Sequence, residues 1–291
     1  MSIKHYFSIA LLIPLFFSCR PKPLDIEVAQ KPGKLTISSV AFSEKSVFIA
    51  AGYSVESGFN LADTTEKNRQ TLPGRVVDSG LVTITKLGCL PDTLKMYNPG
   101  IYGNNNLQLT PYAQYILTVM DYKKGTAVSA TTTYLPAPSI QALKPEVIKT
   151  GSQPVVKLHI KLGDIKPGEH FFIGYSTKTN VISAITPLVA GLGAMQSFEA
   201  RQLEMVDGSK AKDGMLEHSF TLDVKPTDTL TVQVAKIDDK YYKYLDAYKR
   251  TGYLLNQISG EPINLPTNVS AGLGYFALYA PQRTRFYLNE F

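Results

Sequence analysis

Tryptophan is absent from the 291 residues, and only two cysteines and four histidines are present. The missing indole removes the strongest sugar-stacking ring, although seventeen tyrosines keep aromatic stacking available. Beyond the N-terminus no stretch approaches eighteen uninterrupted apolar residues, so nothing in the body of the chain reads as a membrane-spanning helix. Charge is not concentrated either. Thirty Lys and Arg against 24 Asp and Glu give a net +6, but the basic residues are scattered in ones and twos. That scatter excludes the basic stripe of a nucleic-acid footprint. His159, His170 and His218 fall on separate strand-like segments and no pair has metal-ligand spacing, so no metal site is expected.

The remaining motif-like strings do not assemble into chemistry. Gly191-x-Gly193 and Gly272-x-Gly274 lack the third glycine and the strand-to-helix setting of a dinucleotide loop, and there is no Walker sequence. No cofactor is expected. Ser209-x-x-Lys212, Tyr102-x-Asn104 and Lys149-Thr150-Gly151 match the three short motifs of penicillin-recognising enzymes, but in reversed order. Ser209 also sits in a polar, glycine-flanked turn instead of opening a helix. Asp238-Asp239 reads as a helix cap before it reads as a catalytic pair. No nucleophile, base and orienting group come together, and the expectation is a protein that is not an enzyme.

What is present begins at the N-terminus. Lys4 and His5 form a short basic segment, Tyr6 to Phe17 an apolar core too short to span a bilayer, and Ser18 precedes Cys19. This order resembles the lipobox of bacterial lipoproteins, with Phe16 where leucine is commonest. Residues 1–18 are therefore read as a lipoprotein signal peptide, and Cys19 as the lipidated residue and membrane attachment point. Two or three acyl chains anchor stably because each buried methylene contributes about 0.8 kcal/mol. Residues 19–33, with Pro21, Pro23 and Pro32, read as an extended tether. With Cys19 lipidated, Cys89 is the only free thiol and no intrachain disulfide can form. Cys89 precedes Leu90-Pro91 without a histidine nearby, which fits a buried or turn thiol better than a nucleophile.

The body is mainly β. Leu35–Val40, Ser46–Ala51, Leu81–Thr85, Thr93–Tyr97, Tyr115–Val119 and Ala127–Leu135 are β-rich runs bounded by turn residues, with a polar loop at 58–74. About six short strands in this span predict an N-terminal sandwich, immunoglobulin-like or transthyretin-like, over residues 34–137. Pro136-Ala137-Pro138 marks the boundary. Residues 138–291 then form a C-terminal β-sandwich with one packed helix. Within it Val156, Leu158, Ile160 and Leu162 alternate with Lys157, His159 and Lys161. Phe171–Tyr175, Phe220–Val224, Leu230–Ala235 and a last strand at Thr284–Leu288 follow the same logic. Val181–Met195 is almost wholly apolar without a strand rhythm; a buried irregular segment is preferred to an exposed docking loop.

One helix is expected, at 239–257. Tyr241, Leu245, Tyr248 and Leu255 recur at i, i+4, i+7 and i+14 and make an apolar stripe, with the lysines largely off it. Asp238 and Asp239 supply a cap and favourable N-terminal charge, while Gly260 and Pro262 end the segment. Aromatic residues at this spacing are expected to fill a groove; the competing reading is a tyrosine-rich binding face.

Ile237-Asp238 running into Tyr241-Tyr242-Lys243-Tyr244-Leu245, and Pro266-Thr267-Asn268-Val269-Ser270 leading to Gly272-Leu273-Gly274-Tyr275-Phe276, carry a resemblance. In them the chain resembles the Bacteroidota lipoproteins grouped as domain of unknown function 4249, with Ala271 where a second glycine is commoner. The resemblance implies an outer-membrane lipoprotein encoded beside TonB-dependent receptors, and it transfers no catalytic residue. The Asn-Gly run itself is read as structural, a turn needing unusual backbone angles and close packing. Surface-bound lipoproteins of that phylum often carry acidic residues just after the lipidated cysteine; here Arg20-Pro21-Lys22-Pro23 follows Cys19, with Asp25 the first acid, so the resemblance implies the periplasmic face slightly ahead of the cell surface. The expected partners are the membrane, through the lipid, and an outer-membrane transporter or its cargo. The alternative is a surface protein binding a glycan or peptide ligand.

Overall fold

A computed structural model describes residues 33–54, 75–149, 154–177, 202–225, 229–251 and 264–291. The signal segment, Cys19, the tether, the loop at 58–74, the apolar run 181–195 and the stripe residue Leu255 lie outside the described residues. The architecture is mainly β, as the spacing predicts, and is built as two sandwiches. The first contributes β1 (Leu35–Ser43), β2 (Ser46–Tyr53), β3 (Gly80–Lys86), β4 (Pro91–Thr93), β5 (Lys95–Asn98), β6 (Ile101–Asn104), β7 (Gln114–Asp121) and β8 (Thr126–Leu135). The second contributes β9 (Ser139–Ile148), β10 (Val155–Gly163), β11 (His170–Ser176), β12 (Leu203–Asp207), β13 (Leu216–Leu222), β14 (Thr229–Ile237) and α1 (Asp239–Thr251). A final run holds β15 (Val269–Ser270), β16 (Leu273–Tyr275), β17 (Leu278–Tyr279) and β18 (Gln282–Tyr287). No described helix is long and apolar enough to cross a membrane.

In the second sandwich the sheets run β13-β10-β9 and β12-β11-β14-β18. The alternation of β10 is realised: Val156, Leu158, Ile160 and Leu162 are buried against Phe171, Ile173, Val232 and Val234 of the facing sheet. β9 escapes a pattern reading because Pro145 interrupts it. It lies at the edge of its sheet, where a missing N–H leaves no ladder bond unmade.

The first sandwich stacks β16-β1-β2-β6-β5 on β15-β8-β7-β3-β4, with β17 also on β8. Ile37, Ile49, Val82, Leu117 and Phe276 are wholly or almost wholly buried between them. The run expected as a single strand at Thr93–Tyr97 is split. Leu94 dips into the core, its N–H bonds Val82 O at 2.9 Å, and the chain crosses from β4 in one sheet to β5 in the other. Cys89 is exposed in the turn before β4.

The C-terminal run does not stay with the second sandwich, where the sequence reading places it. β15 pairs β8 antiparallel, β16 pairs β1 in parallel and β17 pairs β8 in parallel, before β18 returns to β14. The physical cause is burial: Val269, Phe276, Leu278 and Ala280 complete the first core, and leaving them on the second would expose them. The chain thus crosses between the sandwiches three times, and α1 lies beside the crossing.

Candidate functional site

Helix α1 starts where Asp238 caps it: the carboxylate accepts the Tyr241 N–H at 2.8 Å, and the Asp238 carbonyl accepts from Tyr242 N–H. Lys243–Asp239 and Arg250–Asp246 pair along its exposed side. The opposite face buries Tyr241, Tyr244, Leu245 and Ala247, with Tyr248 partly buried. Tyr244, which the four-residue stripe omits, is buried beside Tyr241. The Tyr241 ring lies 5.8 Å from Tyr244, 5.0 Å from Tyr275 and 5.9 Å from Tyr279, and Phe172 meets Tyr279 edge-on. Ala41 of β1 belongs to the same cluster, so these rings join the two sandwiches. The groove-filling reading of the stripe is the one realised.

Side-chain clasps hold the C-terminal run in place. Asn268 Nδ2 donates to Phe276 O at 2.7 Å and to Thr131 O at 3.2 Å, and its Oδ1 accepts from Phe276 N–H at 2.9 Å. Ser39 Oγ accepts from Ala277 N–H and donates to Ala277 O. Burial pushes the Tyr241 and Tyr275 hydroxyls well above their ordinary range and that of Tyr279 up to about 12. These phenols are protonated at neutral pH and act as hydrogen-bonding and packing groups.

Beside this junction opens a cleft of about 440 Å³. β8 supplies Ser129, Ala130 and Thr131; α1 supplies Lys240 and Lys243; Pro266 to Asn268, Ser270 and Tyr275 close it. Ser270 stands directly opposite Ser129 across the β15–β8 pair, and Thr131 shares their face. Among the described residues the hydroxyls of Ser129, Thr131 and Ser270 and the Lys240 ammonium make no hydrogen bond or ion pair. Asn268, Thr267 and Lys243 are already engaged. Such a cleft, within the roughly 300–1,000 Å³ of small-ligand sites, offers hydroxyl and ammonium groups for recognition. Sequence reading takes 266–270 as structural and does not mark 129–131, whose only signal is a run of small polar residues on a strand.

The three described histidines each find carboxylates, not one another. His170 lies with Nε2 3.5 Å from Asp239 and Nδ1 3.9 Å from Asp207, and its ring packs at a tilt against Tyr242, 4.4 Å away. His159 bridges Ser219 Oγ at 2.7 Å and Glu146 at 2.8 Å across the outer face of β13-β10-β9. Sequence reading missed this Ser-His-Glu row because its members come from three strands. It lies on an exposed sheet face, where His159 and Glu146 keep 40% and 57% of their side-chain surface. Among the described residues no group of three or more His, Cys, Asp or Glu could hold a metal ion. Ser209 sits in the short helical turn Gly208–Lys210, where Asp207 accepts its N–H.

Glu204 ties α1 to the second sandwich, accepting from His218 at 3.1 Å and from Lys249 at 2.8 Å. The His218 hydrogen bond holds its carboxyl below the usual range, against desolvation and with help from Lys249. A depressed folded-state pKa stabilises above the unfolded value and is lost as pH falls through the folded one. Glu204→Gln is therefore expected to cost about 1–2 kcal/mol at pH 7, with the difference from wild type closing below about pH 4. Urea unfolding at pH 7 and pH 3.5 measures both.

No curated protein matches the chain. Among solved structures, a two-domain fibronectin type-III segment of chicken tenascin is 9% identical over 72% of this chain and 92% of its own, with a TM-score of 0.23. The central fibronectin-III array of RIM-binding protein is 13% identical over 73% of this chain and 64% of its own, with a TM-score of 0.18. A family model described as domain of unknown function (DUF4249) matches residues 22–285, nearly the whole body of the chain, and the protein belongs to that family.

Proposed function

We propose that the protein is a non-enzymatic lipoprotein of the outer membrane, anchored through Cys19, that serves as an accessory binding partner of a TonB-dependent transport complex. The basic–apolar–small–cysteine order of residues 4–19 carries the reading. The junction supports it. Its tyrosines are spent on holding the two sandwiches together and its ion pairs on fixing α1, which leaves contact surface. The basic residues after Cys19 favour the periplasmic face. The cleft favours a second reading, in which the same protein recognises a small glycan or peptide ligand through its unengaged hydroxyls.

Labelling cells with a palmitate analogue is expected to tag the wild-type chain and leave Cys19→Ser unlabelled. Co-purification from detergent-solubilised outer membranes is expected to recover a TonB-dependent transporter with it. An untagged wild-type chain overturns the anchor. A chain recovered alone with its lipid intact overturns the partner.

A further inference from the structure

We infer that the end of the first sandwich bearing the Tyr122–Gly125 turn is a membrane-facing surface that rests on anionic lipid headgroups. The inference rests on the Cys19 anchor proposed above and adds to it an orientation. The chain outside the described residues joins the fold at Gly33. Lys34 is fixed there: its N–H bonds Ser54 Oγ at 2.9 Å and its carbonyl accepts from Ser54 N–H at 2.8 Å. Leu35 pairs with Tyr53, and the Tyr53 hydroxyl donates to Asp121 at 2.7 Å and lies 2.6 Å from Thr126 Oγ1. The β7–β8 turn therefore sits directly over the point where the tether arrives.

That turn presents an exposed aromatic ring next to two lysines. Tyr122 is 59% exposed, and Lys123 and Lys124 are exposed beside it. Among the described residues the carboxylates at this end are occupied. Asp121 is 2% exposed and also accepts the N–H groups of Lys123 and Lys124; Asp78 pairs with Lys123. Lys124 lies 3.5 Å over the Tyr53 ring and Lys34 is exposed, so among the described residues three lysines (34, 123 and 124) stand against two carboxylates (Asp78 and Asp121), a net charge of +1 at this end. An amphipathic ring followed by lysines suits the headgroup layer, where each cation near an anionic surface strengthens binding about fivefold. The thirteen residues 20–32 reach at most roughly 45 Å when extended, which keeps this end within range of the bilayer. β8 runs from this turn at Thr126 to the junction at Leu135, placing the second sandwich about 30 Å farther from the membrane.

Because the chain has no tryptophan, Tyr122→Trp gives a single reporter. The full chain isolated from membranes is reconstituted into phosphatidylglycerol-containing and pure phosphatidylcholine vesicles with brominated acyl chains. The indole of Tyr122→Trp is expected to be quenched more strongly in the anionic vesicles, while a Tyr287→Trp reporter on β18 is unquenched. Lys123→Glu with Lys124→Glu is expected to remove most of the difference between the two lipids. An anchored Tyr122→Trp chain that is unquenched, or quenched equally in both lipids, overturns the orientation and leaves the anchor standing. A Cys19→Ser chain carrying the same reporter, added to these vesicles at low salt, is expected to show the anionic preference more weakly. If the wild type proves unlipidated the anchor reading fails, and absence of quenching in this arm overturns the surface itself.

Discussion

Alanine in place of Gly274 is expected to destabilise the protein by about 3 kcal/mol or more and to release β16 from β1. Gly274 has φ of +89°, in the region that side chains with a β-carbon avoid. The position is also closed. In the parallel pair Gly274 lies opposite Ile37, and a β-carbon there would overlap the Ile37 carbonyl oxygen and come within 3.1 Å of its nitrogen. Backbone atoms cannot step aside as a flexible side chain can, so β1 and β16 must separate. That separation would loosen Phe276 and the Ser39 clasp on Ala277 with it. For a chain of this size the loss corresponds to a fall in Tm of roughly 6–12 °C. Ala271, three residues earlier, supplies a control of opposite sign. It is exposed with φ of +60°, so Ala271→Gly is expected to stabilise by up to about 1 kcal/mol. Thermal unfolding of both variants decides the matter; equal and small effects would show that the turn is not the constraint described.

This turn marks how far the sequence could be read. The run from Pro266 to Phe276 is legible as a structural motif, because its glycines and asparagine announce unusual angles and close approach. Where it goes is not legible. Thr36 opposite Leu273 is a contact across more than two hundred residues, and no local period encodes the strand on which a short segment lands. β10 was readable because one of its faces is buried from end to end. Leu94 was not, since a residue that switches sheets breaks the period while keeping its burial. The helix was legible as an amphipathic stripe and its tyrosines as groove filling, but the groove lies between two sandwiches. The cleft is hidden for the same reason: Ser129 and Ser270 are unremarkable residues until β15 sets them side by side.

Tyr241→Ala is expected to cost about 3–5 kcal/mol, because it empties the centre of the junction. Tyr241 is 5% exposed and its ring touches Tyr244, Tyr275 and Tyr279, so no single neighbour can collapse into the space. Tyr241→Phe keeps those contacts and loses only the hydroxyl, which bonds Tyr279, and should cost about 1 kcal/mol. The alanine variant has a second expected consequence. The cluster at the junction is distinct from the cores of the two sandwiches, each of which keeps its own buried residues. Removing its central ring should therefore weaken the coupling between them more than either core. A single unfolding transition in the wild type would become two in Tyr241→Ala, and protease sensitivity would rise around Pro136–Pro138. If the variant instead melts in one transition at a lower temperature, the crossings by β15 to β18 alone bind the sandwiches into one cooperative unit, and the tyrosines add stability without setting the coupling.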